Sequence, residues 1–539
     1  MSTTLEITRR HFLKSSLATA STAALTKHLA LGQTPAKYRR YNVTSLGGQK
    51  ALASYARGVQ AMLKLSADHP QNWFRNAFVH LMDCPHGNWW FYVWHRGYVG
   101  YFEQTIRNLS GDPTFAMPYW DWTQLAQIPD SMFNGVLTPI DSAFAPFTKD
   151  IGTFTSYLRP SLKRYWDGLS SAQRNQLNAR GYKTFDAVWN DVTGNGDPTN
   201  EAFAQTPIAR YLSRTNPKLS PQVTYNVSPF IVRSGLEVRD FYNATSKISF
   251  NSSKTSSHNT PPPNGSVFST LEGLPHNSTH NYIGGVGPIP NGPWGNMTNN
   301  LSPVDPIFFL HHSNMDRLWD VWTRKQQALK LPYLPDAKDR PTYDGEPFLF
   351  YVDGNGKPVG TSYAKDYISM ARFQYDYEPG FGEELVKPPS KALTAKHAMA
   401  PVIGTMKGNA ATILLSTDVV KTHLEAGAPG ALIALVTLPH PNAASPNREF
   451  DVLVGAPANV TQANPDSPYY AGTVAFFGGM THMQGMSADA TFLVPLPKRS
   501  EAFPGLAAAA GKSVEVNIRV VPSRRGGASV LKTAVVRAL

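Results

Sequence analysis

A single cysteine, Cys84, among 539 residues excludes a disulfide framework and any zinc or iron–sulfur site built from several thiolates. Charge is also sparse. Asp, Glu, Lys and Arg make up 16% of the chain, against 42% hydrophobic residues. That balance supplies a sizeable core and is too apolar for a disordered chain. No apolar run reaches the roughly 18 residues that mark a bilayer-spanning helix, so no stable membrane anchor is expected. The formal net charge is +12, but the basic residues are scattered and no helix carries a Lys/Arg stripe. The charge therefore reads as a solvated surface, and nucleic-acid binding is not expected. The length fits two or three domains. No internal repeat is visible.

Residues Thr8-Arg9-Arg10-His11-Phe12-Leu13-Lys14 set two adjacent arginines before Phe-Leu-Lys, and a weakly apolar Ala/Thr/Ser-rich stretch follows from Ser15 to Leu31. This resembles a twin-arginine export signal. Residues 1–36 are therefore set apart from the fold, and a periplasmic or secreted location through the twin-arginine export machinery is expected. Residues 37–386 read as a mainly helical unit, with helices expected over 46–66, 70–82, 89–109, 153–190, 267–282 and 304–330. Asp305 is the expected N-cap of the last, with Pro306 at its first position. The polar stretch 243–266 reads as a long exposed loop, and 387–401, with Pro388 and Pro389, as a linker. Residues 402–539 change texture. Short apolar runs at 411–415, 431–436, 450–454 and 514–520, bounded by Gly, Pro and Asn, predict a β-sandwich.

The chemistry lies in the histidines. His80, His86 and His95 form one cluster; His276, His280 and His312 form a second. His276 and His280 are four apart, so one helix presents both imidazoles on one face. His80 ends one predicted helix, His95 lies inside the next, and His86 sits on a turn between Pro85 and Gly87. Four helices facing inward with histidines is how a bundle builds a metal site. Three imidazoles per ion, without carboxylate or thiolate, suit copper or zinc. Two adjacent sites of this kind argue for a redox pair that handles dioxygen, and zinc supplies no electrons. A zinc hydrolase on the same histidines is the competing reading.

Cys84-Pro85-His86-Gly87 with Trp94-His95-Arg96-Gly97-Tyr98 resembles the first copper motif of the type 3 copper family of tyrosinases, catechol oxidases and haemocyanins. Pro275-His276-Asn277-Ser278-Thr279-His280, together with Asp305 to Trp319, resembles the second copper motif, and Pro118-Tyr119-Trp120-Asp121-Trp122 is a further landmark. The resemblance covers roughly residues 60–385, and the β-rich tail is similar in kind to the C-terminal domain of plant polyphenol oxidases. It implies a four-helix bundle holding two copper ions, with His80, His86 and His95 on the first and His276, His280 and His312 on the second. His69 competes with His80 for the first position. His80 is preferred because Trp73 to His80 resembles the family's first ligand helix. His311 is read as a neighbour of the ligand set, since successive helical residues point about 100° apart.

The resemblance further implies phenolic substrates, O2 as oxidant, a copper donor, and monophenol hydroxylation followed by oxidation of o-diphenols to o-quinones. The alternatives are a catechol oxidase or o-aminophenol oxidase without hydroxylation, and an oxygen carrier of haemocyanin type. By the same resemblance, Cys84 is a candidate for a thioether bond to His86. Glu272 and Asn277 match the positions that handle the phenol's proton, which a phenol with an ordinary pKa near 10 does not release unaided at neutral pH. Met297 is a candidate gate over the copper. Tyr375 and Tyr377 match a tyrosine motif that closes the helical unit. The tail is expected to cover the copper cleft. Met480, His482, Met483 and Met486 form either a Cu(I)-loading patch or a plain hairpin turn.

Overall fold

Four helices carry the histidine clusters to one place. Behind them α1 (Leu46–Lys64), which carries no histidine, packs against α3 (Phe91–Ser110); the other three histidine-bearing helices are α2 (Trp73–Asp83), α4 (Asn277–Gly284) and α5 (Ile307–Ala328). The computed structural model describes residues 36–193, 204–290, 292–387, 400–425, 432–441, 447–460, 462–478, 489–506, 512–523 and 530–539. The export motif, most of the linker, and Met480, His482, Met483 and Met486 lie outside these residues.

The helix ends follow local chemistry. Asn72 opens α2, its side chain accepting from the N–H groups of Phe74 and Arg75; the expected start at Pro70 falls in the preceding turn. Gly111, with φ of 70°, closes α3 in the left-handed conformation that glycine adopts without penalty. Asp305 Oδ1 accepts from the Ile307 N–H at 3.1 Å, which starts α5 one residue later than expected. The stretch expected as one helix over 153–190 is three, Ile151–Asp167, Ser171–Ala179 and Phe185–Thr193. Ser170 and Gln173 form a capping box that restarts the chain after Gly168. The expected helix 267–282 also divides. Strand β2 (Ser266–Phe268) comes first, then a π-helical turn from Glu272 to His276 that runs into α4.

The polar stretch 243–266 is a loop but not an exposed one. Ser249, Asn251, Ser252, Ser253, Thr255, His258 and Asn259 are all buried. Apart from Asn251, whose Nδ2 has no protein partner, their hydroxyls, amide and imidazole bond to protein in place of water. His258, for example, lies between Asp83 at 2.9 Å and Glu346 at 2.5 Å.

The helical unit is closed by β1 (Tyr38–Arg40), paired in parallel with β3 (Tyr375–Tyr377). Beneath this pair Asp316 is fully enclosed. Arg96 Nε reaches it at 2.6 Å and Arg40 Nη1 at 3.1 Å, and the hydroxyls of Tyr375 and Tyr377 both donate to it.

The tail is a sandwich of two sheets. Its strands are β4 (Val402–Ile403), β5 (Thr405–Lys407), β6 (Ala410–Ser416), β7 (Leu432–Pro439), β8 (Glu449–Val454), β9 (Tyr470–Ala475), β10 (Asp489–Pro495), β11 (Ser513–Pro522) and β12 (Thr533–Ala538). One sheet has the order β9-β8-β11-β6-β5, the other β2-β10-β7-β12-β4. Strand β11 alternates as a half-buried strand should, with Val514, Val516, Ile518 and Val520 inward. Strand β7 is apolar on both sides. Leu432, Ala434, Val436 and Leu438 face the sandwich core, while Ile433 and Leu435 belong to the core of the helical unit. Strand β2 comes from the helical unit and pairs in parallel with β10 through Ser266–Ala490, Val267–Thr491 and Phe268–Phe492. Sandwich and bundle thus share a sheet and a core.

No helix among the described residues is long and apolar enough to cross a membrane.

Candidate metal centre

Each of the six clustered histidines comes from a different local device. His80 lies in the last turn of α2, and His86 on the turn that follows, beyond Cys84 and Pro85. His95 lies one turn into α3 and donates from Nδ1 to the Phe91 carbonyl at 2.7 Å. His276 ends the π-helical turn, His280 follows in α4, and His312 lies in the second turn of α5.

The structure brings them into two facing triads. The ring centroids of His80, His86 and His95 are 5.4, 5.5 and 5.6 Å apart. Those of His276, His280 and His312 are 4.5, 5.1 and 5.4 Å apart. Across the gap His95 stacks on His312 at 4.2 Å, and His86 faces His276 at 5.7 Å. His69 is elsewhere, its Nδ1 accepting from the Gln71 N–H.

Hydrogen bonding settles where the protons sit. His80 Nδ1 donates to the Asn300 carbonyl at 2.8 Å, and His280 Nδ1 to the Met297 carbonyl at 2.8 Å. With Nδ1 protonated on both His80 and His95, their Nε2 lone pairs converge at 3.4 Å. Two lone pairs that close repel in an apolar shell and are stabilised by a cation held between them, so the donor set fits a metal. His280 Nε2 and His312 Nε2 approach to 3.1 Å in the second triad. The Nε2 atoms of His86 and His276 are buried without a protein partner. Burial pushes His80 and His276 down to about 3 and the other four well below their ordinary value. All six therefore stay neutral, the form that binds metal.

The surroundings are dry and aromatic. Phe91, Trp94 and Phe308 pack on the rings from the bundle side. From the tail, Phe477 lies 4.3 Å from His280, 4.9 Å from His86 and 5.6 Å from His276. Phe477 was not among the residues singled out from sequence. It follows β9, about 200 residues beyond His276 and His280 and nearly 400 beyond His86, and no spacing rule connects them.

The remaining candidates are placed as follows. Cys84 Sγ is 3.4 Å from His86 Nδ1. Glu272 is buried, and its carboxylate accepts from the Gly87 N–H at 2.6 Å and from the Ser252 hydroxyl. Burial raises its carboxyl to about 7. Asn277 Oδ1 accepts from His276 Nδ1 at 2.8 Å, while its Nδ2 donates to the Ala475 carbonyl of β9 at 2.8 Å. The Met297 side chain is fully buried, and its carbonyl holds His280. Two neighbouring amides repeat the contact of Asn277. Asn226 bonds the Thr473 carbonyl at 2.8 Å and Asn281 the Phe476 carbonyl at 3.1 Å.

Residues 59–325 match the model of the common central domain of tyrosinase. A tyrosinase of a Hahella species, HcTyr1, is 25% identical over 390 residues, which cover 66% of each chain. The latent chloroplastic polyphenol oxidase of Prunus armeniaca is 25% identical over 369 residues, 66% of this chain and 51% of that one. The chain thus spans just under two thirds of the first relative's length and about half of the second's. Among solved structures, a latent aurone synthase (polyphenol oxidase) superposes with a TM-score of 0.53 at 18% identity, covering 94% of this chain and 91% of that one. A latent apple tyrosinase gives 0.51 at 19%, covering 94% and 98%. The fold is shared over nearly the whole chain, tail included.

Proposed function

This chain belongs to the tyrosinase and polyphenol oxidase family of type 3 copper oxidoreductases, and on that premise we propose that it hydroxylates monophenols to o-diphenols and oxidises these to o-quinones. The cofactor is a pair of copper ions, which supplies two-electron redox chemistry and a seat for O2. In the proposed assignment His80, His86 and His95 hold the first ion and His276, His280 and His312 the second. The observation that carries it is the convergence of the His80 and His95 lone pairs, opposite a second triad of neutral imidazoles.

The chain's own residues then have separate tasks. Phe91, Trp94 and Phe308 exclude water. Asn300, Met297, Phe91 and Asn277 accept from the Nδ1 atoms and so keep the Nε2 atoms aimed at the metals. Glu272, with its carboxyl near 7, is partly ionised at neutral pH and serves as the base that takes the phenol's proton. Its bonds to Gly87 and Ser252 hold it beside the turn that carries His86. A Cys84–His86 thioether would fix that ring further, and the 3.4 Å approach supports it. Catechol oxidation without hydroxylation is the second reading. It is favoured by one observation, that the Asn277 amide is spent on the Ala475 carbonyl.

The division we propose is an export signal over 1–36, a catalytic unit over 37–386, a linker over 387–401 and a tail over 402–539. Export through the twin-arginine route, in a folded and metal-bearing state, fits the Arg9-Arg10 motif. The tail keeps the enzyme latent, with Phe477 as the ring that covers the copper cleft. Oxygen uptake by the copper-loaded full chain, on a simple monophenol and a catechol in parallel, tests this reading. Uptake on both is expected once Phe477 is removed. Uptake on catechol alone would overturn hydroxylation.

A further inference from the structure

The second metal position is surrounded by four imidazoles. His311 offers a ring nitrogen within 4.8 Å of those of His276, His280 and His312. Its ring lies 4.8 Å from His280 and 5.3 Å from His276, and it is fully buried. Proximity alone therefore does not decide which three coordinate. The difference matters chemically, because three ligands leave a metal an open position for a small molecule, whereas four close it.

The indole of Trp122 makes the distinction. Its Nε1–H lies 3.0 Å from His311 Nδ1. An indole N–H only donates, so His311 Nδ1 must accept, and the ring's proton is on Nε2. That Nε2 is buried without a protein partner. An N–H in that place donates to an oxygen but has no lone pair for a cation. The four Nδ1-donating histidines of the centre show the opposite pattern, each leaving its Nε2 lone pair free.

We propose that Trp122 is a positioning residue that sets the ligand count of the second copper. It holds His311 in the Nε2–H tautomer and so keeps that position three-coordinate and open. This rests on the dicopper assignment but not on which phenol is turned over. The Trp122 side chain is fully buried and follows Asp121 in the Pro118–Trp122 segment, some 190 residues before His311. Removing its N–H frees His311 to carry its proton on Nδ1 and to bind through Nε2.

The test replaces Trp122 with benzothienylalanine, which keeps the bicyclic shape and puts sulfur where the N–H was; Trp122→Phe is the genetic counterpart. The full chain is loaded with cobalt(II), whose visible band weakens as ligands are added, and separately with copper, whose release to EDTA is timed. The expected result is a weaker cobalt band and a second copper released about tenfold more slowly, in line with the usual effect of outer partners on metal affinity. Adding His311→Asn to the same background should restore both readings. Unchanged band and release in the benzothienylalanine protein would overturn the proposal. So would a change that persists without His311, because that marks general distortion. Phenol turnover does not enter either reading, so failure of the hydroxylase assignment and failure of this proposal are separately visible.

Discussion

Replacing Phe477 with alanine is the sharpest test of how substrate reaches the metals. The ring contacts three of the six clustered imidazoles, at 4.3, 4.9 and 5.6 Å. Aromatic pairs of this kind contribute about 0.5–1.5 kcal/mol each. Phe477 is only partly buried, so the lower half of the range applies, and holding the ring down is worth about 1.5–3 kcal/mol in all. Each 1.4 kcal/mol is a factor of about ten, so the open state is populated roughly once in 10 to 100 molecules, and apparent substrate affinity falls by the same factor. Phe477→Ala should therefore raise kcat/KM for a catechol by about 10- to 100-fold, with kcat little changed, because the tax falls on access rather than on chemistry. The assay is initial oxygen uptake at equal copper content. Phe477→Leu should fall between the two. An unchanged kcat/KM in the alanine variant would refute the cover, and a rise carried by kcat at constant KM would refute the access argument.

Cutting the chain within 388–399 should by itself leave activity low, since β2 and the Asn226, Asn277 and Asn281 contacts keep the tail docked; co-elution of both fragments on gel filtration with unchanged oxygen uptake checks this. Glu272→Gln should lower monophenol turnover about 10²- to 10⁴-fold and erase a rise in that turnover with pH through about 7, while catechol turnover persists. The same residue carries a stability signature. Its folded value lies above the ordinary 4.5, so its contribution is full below that value and lost as pH rises through about 7, and the glutamine variant should show a flatter melting temperature across that window. Asp316→Asn leaves Arg96 buried without its carboxylate and Arg40 with Glu103 alone, and should cost about 3–5 kcal/mol in urea unfolding. A thioether predicts a peptide joining Cys84 to His86 that is lighter by two hydrogens in mass spectra of the copper-loaded protein, and absent in Cys84→Ser.

Much of the centre was legible in the chain because its information is local. The i, i+4 spacing of His276 and His280, the turn residues around His86, and the long aromatic helices each follow from periodicities within a few residues. The tail strands were legible for the same reason. Glycine and capping side chains moved helix ends by only a few residues, and where they were misjudged, as at Ser170 and Gln173, a single expected helix became three. The loop 243–266 was misread as exposed, since its polar side chains could pair with protein as readily as with water, and composition does not distinguish the two.

By itself, then, the sequence determined the fold class, the six clustered histidines, the copper chemistry they suit and the family. Only the tertiary structure decided what those histidines touch. It set His80 rather than His69 in the first triad, tied Glu272 to Gly87 and Ser252, placed Phe477 over the rings, and joined Trp122 to His311. The physical reason is one of range. A helix positions its own side chains through bonds four residues apart. A tautomer, a cover or a raised carboxyl is instead set by groups that burial brings together from distant parts of the chain.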